Sequence, residues 1–355
     1  YSATPAISQM DLVNSLKRKY DLFPVDLAAS PTLDGLDAIC VLQPTREFSE
    51  SDAYKIDQFI VKGGKALFLV DGVKIDTLEN QGLAISPRET GLENILFHYG
   101  LRLNANLVKD AQNSGMIPLK VGNMGNKSNI QLMPWPAFPL LNGNPNFLIT
   151  KNLDAIYGRF VSSIDTISGA ATRKTPLLKT SQYTQVAKAP SLLSFSSAGK
   201  DFDPAAYTAG VQTAAYLVEG KFESAFQHLT QDTSFVATGS TESAIIVVGD
   251  GDIALNGVDY PSQQSLPLGF DPFMKNTFAN KDFLLNAFAY LIDDNSPLLA
   301  RSKSITLRPL DKAKIQADGT FYQVINIAVP LLFASLLSII IVFYRKRKYN
   351  RKYNF

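Results

Sequence analysis

Apolar residues recur along this chain at two periods, one helical and one strand-like, and the alternation between them outlines a succession of elements. Leu12, Val13 and Leu16 share one face of a helix predicted over Ile7 to Tyr20, with Lys17, Arg18 and Lys19 at its end, where cations suit the helix dipole. Tyr20 to Leu27 reads as a strand, and Pro24 within it points to a sheet edge. Asp37 to Leu42 is a short continuous apolar run of the kind buried parallel strands show. Ser49 and Asp52 resemble a capping box. Ala53, Ile56, Phe59 and Ile60 then repeat at helical spacing until Gly63 and Gly64 end the helix. The next run, Ala66 to Val70, opens into Asp71-Gly72, and strand, helix and strand at this spacing make a βαβ unit. A second amphipathic helix is predicted over Glu89 to Tyr99. Strands follow at Leu107-Val108, Val211 to Val218 and Ala244 to Val248, and a last amphipathic helix covers Lys281 to Ile292. The expected fold class is α/β, with a mainly parallel sheet and helices on both faces, Rossmann- or flavodoxin-like.

Between Met116 and about Gln185 the texture changes. Short β-like runs alternate with Asn, Gly and Pro, as in Gln131 to Pro139 and Asn142 to Asn146. A β-rich insertion over 116–185 is therefore expected, within an extracytoplasmic α/β domain made of 1–115 and 186–293. Residues 294–320 read as a linker. From Phe321 to Tyr344 no Asp, Glu, Lys, Arg or His occurs. As a helix this stretch spans roughly 36 Å, enough for a hydrocarbon core of about 30 Å. Tyr322 and Tyr344 stand where interfacial aromatics belong, and Pro330 is tolerable as a kink. A transmembrane helix is expected over 321–344. Within it Ala334, Ser335 and Ser338 are small enough to let another helix approach.

Charge orients that helix. The tail, 345–355, carries Arg345, Lys346, Arg347, Lys348, Arg351 and Lys352 and no acid, so it is expected in the cytoplasm, with the main domain periplasmic and the helix in the inner membrane. Arg301, Lys303, Arg308, Lys312 and Lys314 weaken the asymmetry from the other flank. The tail also suits anionic lipid headgroups. Removing its six basic residues takes the net charge from +2 to +2 − 6 = −4, which argues against nucleic acid as a partner. The chain begins at Tyr1 without a targeting segment, so an upstream segment is expected. The single cysteine, Cys40, cannot form an internal disulfide and reads as a core residue mid-strand.

Catalytic signatures are sparse. Gly122-Asn-Met-Gly125-Asn-Lys127-Ser128 has the wrong glycine spacing for a phosphate-binding loop and reads as a turn. His98 and His228 sit in no metal-ligand pattern, and no G-x-S-x-G occurs. No enzyme activity, cofactor or metal is expected. The acids remain: Asp71-Gly72 and Asp250-Gly251-Asp252 each follow a buried strand, and the C-terminal ends of parallel strands border ligand crevices. If those strands are neighbours, three carboxylates could take a cation or a hydroxyl-rich ligand. The same residues also serve simply to end strands. A partner contact is expected at Trp135 and Phe138, in an exposed Pro-rich loop, although such aromatics more often fill a core.

Several stretches together resemble the GldG family, auxiliary proteins of the gliding-motility ABC transporter of Bacteroidetes. They are Tyr54 to Asp71, Gln131 to Pro136 with Leu141 to Pro145, Arg159 to Ile167, Leu217 to Phe226, Gly269 to Asp271 with Asn280 to Asn286, and Ile305 to Lys312. The resemblance implies an inner-membrane, non-enzymatic, substrate-binding-like subunit beside a multispan permease and a cytoplasmic ATPase. It also implies a further domain and anchor upstream of Tyr1. It brings no catalytic residues and no ligand. The sheet-and-helix part is also distantly similar to class I glutamine amidotransferases, with Asp71 where their elbow cysteine stands. The rival expectation is an envelope scaffold linking the inner membrane to motility or secretion machinery.

Overall fold

The apolar runs form β1 (Ala38–Leu42), β2 (Lys65–Leu69) and β15 (Ser243–Val248), which lie side by side. They pair in parallel, β1 with β2 and β2 with β15. The computed structural model describes residues 7–78, 82–124, 127–169, 171–199, 203–227, 234–259, 261–293 and 312–350. The chain divides into two compact units, Tyr1–Lys303 and Ser304–Phe355.

Beyond β15 the first unit departs from the expected plan. The strand next to β15 is β14 (Thr213–Gly220), which runs antiparallel to it. Antiparallel β11 (Arg173–Lys179), β8 (Lys127–Gly143) and β7 (Ser114–Met124) follow, giving the order β1-β2-β15-β14-β11-β8-β7. Further pairings are also antiparallel: β3 (Val73–Thr77) with β4 (Gly82–Pro87), β5 (Leu101–Leu103) with β10 (Ile164–Thr166), and β6 (Asn106–Asp110) with β12 (Thr184–Lys188). So too are β8 with β9 (Ile156–Tyr157) and β4 with β13 (Ser191–Ser194). The sheet is mixed and mostly antiparallel, with few helices, and a mainly parallel Rossmann- or amidotransferase-like fold is overturned. The physical reason is that a continuous apolar run reports burial on two faces and carries no information about strand direction. β14 is such a run, and it sits in the sheet interior pointing the other way.

Side chains of β2 alternate between two cores. Leu67 and Leu69 pack with Ile246 and Val248 of β15 against α1 (Met10–Leu16) and α4 (Asn280–Ile292), the latter through Phe283, Leu284, Ala287, Phe288 and Leu291. Ala66, Phe68 and Val70 pack with Ile245 and Val247 against α2 (Glu50–Val61) and α3 (Glu93–His98). The Ser49 hydroxyl accepts the Asp52 amide at 3.1 Å and starts α2. In α3 the Glu93 carboxylate instead accepts the Thr90 amide at 2.7 Å, so the helix begins later than its apolar spacing suggests. Tyr20 to Leu27 joins no ladder. Cys40 is exposed because β1 is the outer strand. His98 is exposed at the end of α3, and His228 lies outside the described residues.

The hairpin of β7 and β8 takes in Gly122 to Ser128, with Met124 opposite Lys127 and residues 125–126 outside the described ones. It also takes in Trp135, which was expected in an exposed loop and is instead buried at 1 % exposure. Three prolines fit this strand because on the side away from β7 it meets β11 only at Asn142 and Gly143 and β9 only at Leu140 and Leu141, while the carbonyls of Pro134 and Pro139 accept single amides from Gly199 and Gly158 at 2.9 Å each, so no continuous ladder is interrupted. Trp135 packs on Phe138, Phe160 and Phe195, with ring centroids 4.9, 5.9 and 5.1 Å away.

The second unit contains α5 (Lys312–Asn350). Its segment Gln323–Arg347, of mean hydropathy 2.6, is long and apolar enough to cross a membrane. Residues 294–311 of the expected linker and 351–355 of the tail lie outside the described residues. The hydroxyls of Ser335 and Ser338 donate to the carbonyls of Leu331 and Ala334 at 2.8 and 2.9 Å, so neither is left unsatisfied in apolar surroundings.

One buried carboxylate ties the helical layer together. Asp57 of α2, fully buried, accepts the Tyr99 hydroxyl at 2.9 Å, the Ser224 hydroxyl at 2.6 Å and the Ala225 amide at 3.1 Å. Replacing Asp57 with Ala strands these donors and should cost on the order of 3 kcal/mol, read as a lower urea midpoint. A midpoint within error of wild type would contradict this role.

Candidate functional site

Because β2 and β15 are parallel neighbours with Leu69 opposite Val248, the residues that follow them emerge at one end of the sheet. Asp71, Asp250 and Asp252 are thereby brought together. β1 ends beside them: Gln43, directly after Leu42, donates its amide to the Leu69 carbonyl at 2.9 Å. Its side chain donates to the Asp252 carboxylate at 2.5 Å. Asp71 accepts the Gly251 amide at 2.6 Å.

The three acids have different surroundings. Asp250 is fully buried, and both its oxygens are engaged by the backbone, one by the Asp252 amide and the other by the Arg159 amide, each at 2.8 Å. It holds the loop after β9 against the end of β15. Asp71 is 8 % exposed and Asp252 is half-buried, and these two line a cleft of about 590 Å³. Gly72 and Gly251 do not line it. A Cβ on Gly72 would stand 2.4 Å from the Asn104 carbonyl, and one on Gly251 would stand 2.6 Å from Cγ of Gln43. Close packing explains both glycines.

Arg88, after β4, and Arg159 also line the cleft. The Arg88 guanidinium donates to the carbonyls of Val73 and Pro44 at 3.4 and 3.3 Å, and that of Arg159 lies over the rings of Phe138 and Tyr157 at 5.8 and 5.4 Å. The remaining wall is apolar: Val73, Ile75 and Leu83 from β3 and β4, Leu119 from β7, and the Phe138, Phe160 and Phe195 rings around Trp135. Two lining residues, Gln43 and Phe160, hold φ of 45° and 55°, a left-handed backbone that costs a non-glycine residue free energy and recurs where a side chain must be aimed. Gln43, Arg88 and Arg159 were not singled out by sequence reasoning. A lone Arg or Gln carries no pattern, and only the fold brings these to the acids. Phe138 lines the cleft. Ala334, Ser335 and Ser338 are exposed on α5.

Among the described residues no group of three or more His, Cys, Asp or Glu is arranged to hold a metal ion. Burial raises the carboxyl of Asp71, while the Gly251 amide and the Arg88 charge oppose the shift. Burial, and then the charges of Asp252 and Asp71, hold Asp250 well above the carboxylate range. Burial and the Asp71 charge push Asp252 from 3.8 to about 6.

The sign of this effect is testable. A carboxyl raised by folding binds its proton more tightly in the folded state, so stability is greatest below the unfolded value and falls as pH rises through about 6. At 1.36 kcal/mol per pH unit the Asp252 contribution is at most on the order of 3 kcal/mol. Asp252→Asn should therefore raise the melting temperature by a few degrees at about pH 8, and the gain should close below about pH 4. A variant no more stable than wild type at the higher pH would contradict this electrostatic picture.

Comparison with known proteins places the chain. No curated protein matches it. Among solved structures the mmIFT52 N-terminal domain is similar at a TM-score of 0.43 and 11% identity, over 81% of this chain and 92% of that one, too loosely to support an argument. Residues 2–287 match the model of a family described as an ABC-type uncharacterized transport system. The chain belongs to this family of auxiliary components of ABC-type transport systems.

Proposed function

We propose that this chain is a membrane-anchored, non-catalytic auxiliary subunit whose cleft receives a ligand for an ABC transporter, and that the transporter is the one associated with gliding motility and secretion, as for GldG of Bacteroidetes. The observation that carries the ligand-receiving part is the cleft at the ends of β1, β2 and β15, whose volume of about 590 Å³ falls within the range of ~300–1,000 Å³ usual for small-molecule sites. Its lining, apolar with a few convergent polar groups, also matches such sites.

The anchor is α5. Its apolar segment has the length to span a bilayer, and the basic cluster from Arg345 to Lys348 favours a cytoplasmic tail, with the first unit in the periplasm. Ala334, Ser335 and Ser338 offer a small-residue face to a multispan permease, which a cytoplasmic ATPase completes. The scaffold alternative needs an exposed contact surface, and Trp135 does not supply one.

Purification of the full chain from its native membrane in mild detergent, followed by mass spectrometry, tests this reading. A permease and an ATPase should accompany it in fixed ratio, and the chain should resist alkaline extraction from the membrane. A solitary protein, or envelope proteins without an ATPase, would contradict it.

A further inference from the structure

Four charged side chains border the cleft, and none of them is ion-paired. Six ion pairs join side chains among the described residues, and Asp71, Asp252, Arg88 and Arg159 take part in none. Asp71 and Asp252 accept hydrogen bonds from uncharged donors only, the Gly251 amide and the Gln43 side chain. Arg88 donates to two carbonyls, and Arg159 rests on two aromatic faces. The cleft thus gathers two acids and two arginines that form no direct ion pair with one another or with any other side chain among the described residues, although the arginine charges reach the acids through space. Asp71 is buried and Asp252 and Arg88 are half-buried, so these three charges lack both full hydration and a direct ion-pair partner, and a ligand that supplies the partner is favoured; Arg159 is exposed and adds a solvated cation at the rim.

This arrangement discriminates among ligands. A purely anionic group would gain at the arginines and be repelled by the carboxylates, and a purely cationic one would suffer the reverse. A neutral polyol would form hydrogen bonds while leaving every charge unpaired. A small molecule bearing an ammonium and a carboxylate on one short scaffold gains at both pairs, and the apolar wall of Ile75, Leu83 and Leu119 has room for its side chains. Resting on the ligand-receiving reading above, we propose that the cleft takes a zwitterion of the peptide class, an amino acid or a di- or tripeptide with both ends free. Its ammonium lies against Asp71 and Asp252 and its carboxylate against Arg88 and Arg159.

The chain's one tryptophan, Trp135, sits in the cleft wall, so its emission reports occupancy directly. The full chain in detergent is titrated with the dipeptides Ala-Ala, Leu-Phe and Lys-Glu, with their N-acetylated and C-amidated forms, and with maltotriose, and calorimetry gives the affinities. At least one free dipeptide should bind, and blocking either end should weaken it tenfold or more. Asp252→Asn, near-isosteric and still able to accept from Gln43, should weaken the free dipeptide tenfold and shrink the penalty for acetylating its amine. Arg159→Gln should leave the acetylation penalty in place and shrink the penalty for amidation. Equal binding of free and blocked forms, or failure of all three dipeptides up to millimolar concentration, overturns the proposal. Binding of maltotriose alone overturns the zwitterion while keeping the ligand-receiving cleft. No binding of any probe by a chain that still co-purifies with permease and ATPase removes the ligand-receiving role and spares only the subunit assignment.

Discussion

The parallel pairing of β2 with β15 is the constraint on which the rest of the first unit depends. It sets Leu69 opposite Val248, so two chain segments far apart in sequence release Asp71 and Asp250 at the same sheet edge. Like charges so placed repel, and burial deepens the cost. The fold offsets this with directed amides: Gly251 donates to Asp71, and Asp252 and Arg159 donate to Asp250. Asp250 thereby becomes a structural bracket, and the two acids beside it are left facing the cleft. An arrangement tolerated despite its electrostatic cost is common where a site is held ready for a ligand.

The antiparallel part of the sheet supplies the other wall. β7 and β8 bring Trp135 and Phe138 over the strand ends, and β3 and β4 present Val73, Ile75 and Leu83. The wall is held by the packing of these rings on one another and by the Trp135 indole, which donates to the Ser197 hydroxyl at 3.2 Å. Under the ligand-receiving reading proposed above, the cleft is largely formed in advance of binding.

Much of this was legible in the sequence. The run from Ala66 to Val70, the capped helix after Ser49, the apolar face of Asn280–Ile292 and the long apolar segment before Arg345 all carry strong periodic or compositional signals. The grouping of Asp71 with Asp250 and Asp252 followed from the rule that strand ends border crevices, and it needed only that the strands be neighbours. Strand direction was not legible, because β14 is as apolar as a parallel strand. Nor was the burial of Trp135, because its flanking prolines imitate a loop, while the strand leaves that side largely unpaired. Gln43, Arg88 and Arg159 left no local trace. Each sits in an unremarkable tripeptide and acquires a role only through contacts between distant segments.

The central claim is that carboxylates stand crowded and desolvated at this sheet edge without ion-paired cations. Carbon-13 detection of the aspartate carboxyl groups across a pH titration of the full chain addresses it most directly. The account predicts one carboxyl titrating near 6, assigned to Asp252 by its disappearance in Asp252→Asn, and at least one other held above the ordinary range. If every aspartate instead titrates at or below about 4, the ordinary carboxyl value, the acids are solvated or neutralised and the cleft is not the site described.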